Sequence, residues 1–184
     1  TNGTLLDHRA AEFLERNHFR VQLSFDGVAA SQNLRANGSF DLLDELLGRL
    51  RRDHPELFTR YLTISATVSP ETLAHLALSV GYFLENGIRA LNLSPDFTCR
   101  IIRPNLPDTA MEEAIARIYE LSRSHRRRTG RVPVLLFRRW SGRRPPSPAG
   151  PICLAGSCES LTGDTDGRLY SCVMFAGSYQ ELGG

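Results

Sequence analysis

The residues of this chain best equipped for chemistry are four cysteines, Cys99, Cys153, Cys158 and Cys172, and a set of polar side chains that close apolar runs. Three of the cysteines fall in the last fifth of the 184 residues. The opening residues lack the apolar core of a secretory leader. A cytoplasmic location is therefore expected, where clustered cysteines favour metal or iron–sulfur ligation over a disulfide framework. Thiolates at separated loop positions can grip one cluster, because its irons lie several ångströms apart. Three thiols with one further ligand could equally form a tetrahedral zinc site. On the thiols alone, both chemistries stay open. The polar run-ends are Ser24-Phe25-Asp26-Gly27, Thr67-Val68-Ser69 and Ser94-Pro95-Asp96. In a parallel α/β sheet or barrel, functional side chains gather where strands end. A hydroxyl or carboxylate at each end could bind a polar ligand lying across a barrel mouth. A plainer account makes Asp26-Gly27 a turn and Ser69 a helix cap.

These residues need elements to hold them. Three stretches are short and β-rich: Arg20 to Phe25, Tyr61 to Val68 and Ala90 to Ser94. Between them apolar residues recur at spacings of three and four, which places them on one face of a helix. Leu6, Ala10, Phe13 and Leu14 mark a first helix; Phe40, Leu43, Leu47 and Leu50 a second. Leu73, Leu76, Ala77, Val80 and Leu84 mark a third; Met111, Ile115, Ile118 and Leu121 a fourth. Ser69-Pro70 suits an N-cap followed by proline at the first helical position. Asn86-Gly87 suits a helix end, and Asp108 can cap the fourth helix. Strands alternating with helices imply βαβ crossovers and a parallel sheet. Val132 to Phe137 is expected to be a further extended piece, at an edge because of Pro133. From Arg138 to Pro151 periodicity vanishes and prolines accumulate, as in a linker or strap. The cysteine segment beyond, 152–184, is too short to fold without a metal or a partner surface.

Composition excludes some functions. Hydrophobic residues make up 41% and charged residues 23%, ordinary for a globular protein. The formal net charge of +2 is too small to argue for nucleic acid. No apolar run approaches the length of a membrane span.

In order along the chain, several motifs resemble those of radical S-adenosylmethionine (SAM) enzymes. Thr1-Asn2-Gly3 is similar to the segment that ends the third strand of that family. Leu23-Ser24-Phe25-Asp26-Gly27 is similar to the one that ends the fourth. Arg35 then stands where a loop arginine precedes the next helix, which opens at Gly38-Ser39-Phe40. Thr67-Val68 before Ser69 resembles the fifth strand, and Gly87-Ile88 through Leu93-Ser94-Pro95 the sixth. Cys153, thirteen intervening residues, Gly167, four residues and Cys172 match the C-x(9–15)-G-x4-C opening of a SPASM domain. The text between, Asp164-Thr165-Asp166-Gly167-Arg168-Leu169-Tyr170, resembles that domain's hairpin.

The resemblance implies an α/β fold: the C-terminal part of a partial (β/α)6 TIM-like barrel over residues 1–137, a linker over 138–151, and the start of a SPASM domain over 152–184. It implies SAM and 4Fe-4S clusters as cofactors of the intact protein. The reaction would modify a peptide or protein partner through a 5′-deoxyadenosyl radical. Ser24 and Arg35 are the leading SAM contacts, with Asp26 orienting the loop and Thr67 weaker. Cys153 and Cys172 would ligate an auxiliary cluster; Cys158 lies outside the motif, and Cys99 suits a packing or barrel-mouth thiol. The sequence departs from the family in lacking C-x3-C-x2-C and the glycine-rich segment after the second strand. The chain is therefore expected to be cut at both ends relative to the family, and inactive alone. Two rivals are a partner-binding degenerate barrel and a zinc-binding module.

Overall fold

The computed structural model describes residues 1–96, 108–138, 161–164 and 166–170. The chain divides into two units, Thr1–Gly142 and Arg143–Gly184. In the first, helix α1 (His8–Arg16) opens on Asp7, whose carboxylate accepts the Ala10 N–H at 2.7 Å. Strand β1 (Val21–Ser24) follows, then α2 (Ala29–Arg35), α3 (Phe40–Asp53) and a π-turn (Leu57–Tyr61). Strand β2 (Leu62–Val68) leads through α4 (Pro70–Leu73) and α5 (Leu76–Glu85) to β3 (Leu91–Pro95). Helices α6 (Asp108–Thr129) and α7 (Leu135–Arg138) are the last elements among the described residues of this unit.

The three strands form a parallel sheet in the order β1-β2-β3, as their alternation with helices predicts. Leu23, Ile64 and Leu91 stand in one row across the sheet, and Ser24, Ser65 and Asn92 in the next. Thr1 extends the ladder at the free edge of β1. Its ammonium donates to Gln22 O and its carbonyl accepts the Ser24 N–H, each at 2.9 Å. This bracketing of Leu23 is the parallel-strand pattern.

Strand side chains alternate between faces. Val21, Leu23, Leu62, Ile64, Ala66 and Leu91 point into one core with Leu43, Leu46, Leu47 and Leu50 of α3 and Leu76, Val80, Phe83 and Leu84 of α5. Ile118 of α6 and Val134 close the same core. Phe25 is fully buried there, edge-on to Phe83 with ring centroids 5.4 Å apart. Gly3 lets the chain turn tightly onto this core. Its φ is +79°, and a Cβ there would sit 2.6 Å from Leu23 Cδ1.

Other boundaries differ from the sequence expectations. Arg35 lies not on a loop but at the last position of α2, a helix with no apolar stripe to announce it. The predicted third helix is two: α4 carries a capping box between Ser69 and Thr72, and α5 restarts at Leu76. The Thr72 hydroxyl also lies 3.1 Å from Thr67 O, so this short helix is tied back to the strand before it. Asn86-Gly87 ends α5 as expected, with Gly87 at φ +80°. Only Val134 of the expected extended piece 132–137 bridges β3, opposite Leu91 and in parallel. From Leu135 the chain turns into α7, with the Phe137 N–H donating to Val134 O at 3.1 Å. The side chain of Asp108 lies outside the described residues.

In the second unit, β4 (Thr162–Gly163) pairs antiparallel with β5 (Leu169–Tyr170). Asp164 organises the turn, accepting the Asp166 and Arg168 N–H groups at 2.9 Å and the Tyr170 hydroxyl at 2.8 Å. Gly167 takes φ +78° in that turn. Cys99, Cys153, Cys158 and Cys172 lie outside the described residues.

Candidate functional site

The carboxyl ends of β1 and β2 and the last turn of α2 bring Asp26, Thr67 and Arg35 into direct contact. Asp26 follows β1 immediately after the Phe25 anchor and is almost wholly buried. Its Oδ2 accepts the Arg35 Nε–H at 2.7 Å, and its Oδ1 accepts Nη2–H at 3.1 Å. The same Oδ1 accepts the backbone N–H of Thr67 at 2.6 Å, tying β1 to β2. Arg35 Nη2 also donates to the Thr67 hydroxyl. A fork-shaped guanidinium against a carboxylate is the geometry that fixes direction as well as strength.

The surrounding residues hold this pair in place. The Gln32 side-chain carbonyl accepts the Asp26 N–H at 2.9 Å, and its amide donates to the Ser39 hydroxyl at 2.8 Å. Ser39 in turn donates to Ala36 O at 2.6 Å. Gly27, at φ +95°, runs so close to α5 that a Cβ would lie 2.4 Å from Ser79 Cβ. The Ser79 hydroxyl accepts the Val28 N–H at 3.3 Å and lies 3.3 Å from the Ser31 hydroxyl. Asp26-Gly27 is therefore a turn, but one built around a buried carboxylate.

Asp26, Leu34, Arg35, Thr67, Ser69, Glu71, Thr72 and Asp96 line a cleft of about 470 Å³. Ser24 does not line it. That residue lies two positions before Asp26, on the sheet face turned away from the helical core, paired in register with Ser65. The same face carries Gln22, Thr63, Ser65, Thr67, Asn92 and Ser94 and no apolar side chain. Asn92 Nδ2 lies 3.3 Å from the Ser94 hydroxyl across one strand turn. Thr63, Ser65 and Asn92 are absent from a reading based on strand ends alone. The signal that could have found them is strict period-two alternation in all three strands.

Arg35 Nη1 makes no hydrogen bond to a described residue, so the site can offer one guanidinium end to a ligand carboxylate. Hydroxyls and an amide stand on the adjoining sheet face. This donor set fits the amino-acid portion of a zwitterionic ligand such as SAM. Among the described residues no group of three or more His, Cys, Asp or Glu could hold a metal ion, and no helix is long and apolar enough to cross a membrane.

No protein-family model matches the chain. Cysteine-type anaerobic sulfatase-maturating enzymes from two strains of Clostridium perfringens are each 34% identical to it over 94 residues. That stretch is 50% of this chain and 25% of the relative. The solved structure of native anSMEcpe with bound AdoMet and Kp18Cys peptide superposes with a TM-score of 0.66 at 19% identity. The match covers 96% of this chain and 50% of that one, and at this identity it speaks for the fold alone. The chain thus spans between a quarter and a half of the proteins it matches. Over half its length it is homologous to anaerobic sulfatase-maturating enzymes, in agreement with the radical SAM resemblance of its motifs.

Proposed function

We propose that this chain is part of a radical SAM enzyme that modifies a peptide or protein. Residues 1–137 would be the later part of a partial (β/α)6 barrel, 138–151 a linker, and 152–184 the opening of a SPASM domain. The observation that carries this reading is the parallel sheet whose polar face ends at the joined Asp26, Arg35 and Thr67. Similarity to the sulfatase-maturating enzymes supports it. In this reading Arg35 takes the SAM carboxylate, and Ser24 and Thr67 offer hydroxyls along the same face. Cys153 and Cys172 are ligands of an auxiliary 4Fe-4S cluster, with the remaining ligands supplied elsewhere in the protein. When bound, SAM would supply, on one-electron reduction to methionine and a 5′-deoxyadenosyl radical, the hydrogen-abstracting group. The residues of this chain bind and orient it.

The test is anaerobic reconstitution of the full-length protein that contains this chain, followed by assay for 5′-deoxyadenosine with dithionite as reductant. Turnover is expected from the full-length protein and none from this chain alone, whose sequence has no C-x3-C-x2-C. Iron and acid-labile sulfide should accompany the protein. Zinc in their place, with no SAM turnover, would refute the proposal.

A further inference from the structure

We propose that Asp26 is not itself a ligand contact but the positioning residue that fixes Arg35, leaving only the Nη1 end of the guanidinium for a ligand carboxylate. The inference rests on the reading of Arg35 as a SAM contact and goes beyond it by assigning the donor edge and the residue that selects it. The Asp26 side chain is 3% exposed and that of Arg35 34%. Both Asp26 oxygens are occupied: Oδ2 by Arg35 Nε, and Oδ1 by Arg35 Nη2 and the Thr67 amide. A ligand therefore meets the carboxylate only through the arginine. On that arginine, Nε faces Asp26 and Nη2 is shared between Asp26 and the Thr67 hydroxyl. The usual side-on fork, Nε with Nη2, is thereby closed to the ligand. Nη1 remains, with one N–H directed end-on and the other along the Cδ side.

The arrangement has a chemical consequence. A flexible arginine would lose rotamer freedom on meeting a ligand. Here that ordering is done beforehand by a buried carboxylate and a strand amide.

The experiment measures binding of SAM and of decarboxylated SAM to the full-length holoprotein by equilibrium dialysis. The variants are Asp26→Asn, Arg35→Lys and the pair together. Asp26→Asn keeps the size and one acceptor but removes the charge that holds the guanidinium. Each single change should weaken SAM binding by about tenfold or more, as when an orienting partner is removed from a binding side chain. The double variant should lose little beyond the worse single, because the two residues act as one unit. Decarboxylated SAM, with no group for Nη1, should bind the wild type and Asp26→Asn equally.

If Arg35→Lys leaves SAM binding unchanged, the ligand reading of the site falls and this inference with it. If Arg35→Lys weakens binding and Asp26→Asn does not, the site reading stands and the positioning role is refuted. Additive losses, or an equal loss for decarboxylated SAM, would make Asp26 an independent or merely structural residue and overturn the proposal. Should Asp26→Asn fail to fold, Thr67→Val removes one acceptor of Arg35 Nη2 while sparing the carboxylate. It should weaken SAM binding and leave decarboxylated SAM unaffected; no difference between the two ligands would overturn the proposal.

Discussion

Gly27→Ala is the most informative single change outside the polar cluster, because two separate penalties meet at one atom. The first is conformational. Gly27 sits at φ +95°, where a side chain costs about 1–2 kcal/mol relative to glycine. The second is packing. The added Cβ would lie 2.4 Å from Ser79 Cβ, 2.5 Å from its hydroxyl and 2.8 Å from its Cα. The hydroxyl could rotate away, but the Cα belongs to α5 and cannot move without the helix. Overpacking of this kind costs roughly 1–3 kcal/mol. The sum is about 2–5 kcal/mol, a large share of a domain's stability. Gly87→Ala separates the two penalties. Gly87 has φ +80° but nothing within 4 Å of its would-be Cβ, so only the conformational cost applies. Urea unfolding followed by far-ultraviolet circular dichroism should place Gly27→Ala well below Gly87→Ala. Adding Ser79→Gly to Gly27→Ala should recover part of the difference. Equal midpoints for Gly27→Ala and Gly87→Ala would show that the close approach to α5 carries no energetic weight, and the reasoning would fail.

Two further changes test other parts of the fold. Ser69→Ala removes the hydroxyl that accepts the Thr72 N–H at the start of α4 and should cost about 1 kcal/mol in urea unfolding; no loss would mean the cap is ornamental. His125 is buried on α6, and that burial, with the charges of Arg128 and Arg131, holds its imidazole below the ordinary histidine range. The unfolded chain takes up this proton near pH ~6.5 and the folded chain does so only lower. Stability should therefore fall as pH drops through about 6.5 and level off below the folded value, and His125→Gln should remove that component of the pH dependence.

Much of the fold was legible in the sequence because its signals are local. The spacing of Leu43, Leu47 and Leu50 marks α3, and Ser69-Pro70 marks α4, since each needs only neighbouring residues to act. Alternation with helices was enough to give three parallel strands in chain order. What escaped depends on distant partners. Helix α2 buries Ser31 and Gln32, so no apolar stripe announces it; its polar residues are inside because they hold the Asp26 turn and Ser39. The π-turn before β2 has a similar cause. Glu15 of α1 accepts the Leu57 N–H at 2.8 Å and sits 3.2 Å from the buried His54 ring, whose other nitrogen is 2.8 Å from His8. Thirty-nine residues separate Glu15 from His54, a pairing no local pattern announces. Asp26, Arg35 and Thr67 are each recognisable in the sequence as strand-end or motif residues. That one carboxylate would hold the other two follows only once β1 and β2 are in register.

The polar sheet face gives the candidate site a basis independent of any single residue. Parallel sheets are usually buried on both faces, and their strands then run apolar without interruption. Here Val21, Leu23 and Phe25 alternate with Gln22 and Ser24, and Leu62, Ile64 and Ala66 with Thr63, Ser65 and Thr67. Leu91 and Leu93 alternate with Asn92 and Ser94 in the third strand. The register aligns the polar sets, so Ser24, Ser65 and Asn92 form one row and Thr67 and Ser94 another. An apolar surface laid against these rows would strip water from each hydroxyl without replacing its hydrogen bond, at about 1–3 kcal/mol per group. A degenerate barrel that closed on an apolar partner would have to meet that cost several times over. A hydrated or zwitterionic ligand returns the hydrogen bonds as it displaces the water. The alternation therefore supports the proposal of a polar small molecule on this face, next to the cleft that Arg35 and Asp26 line.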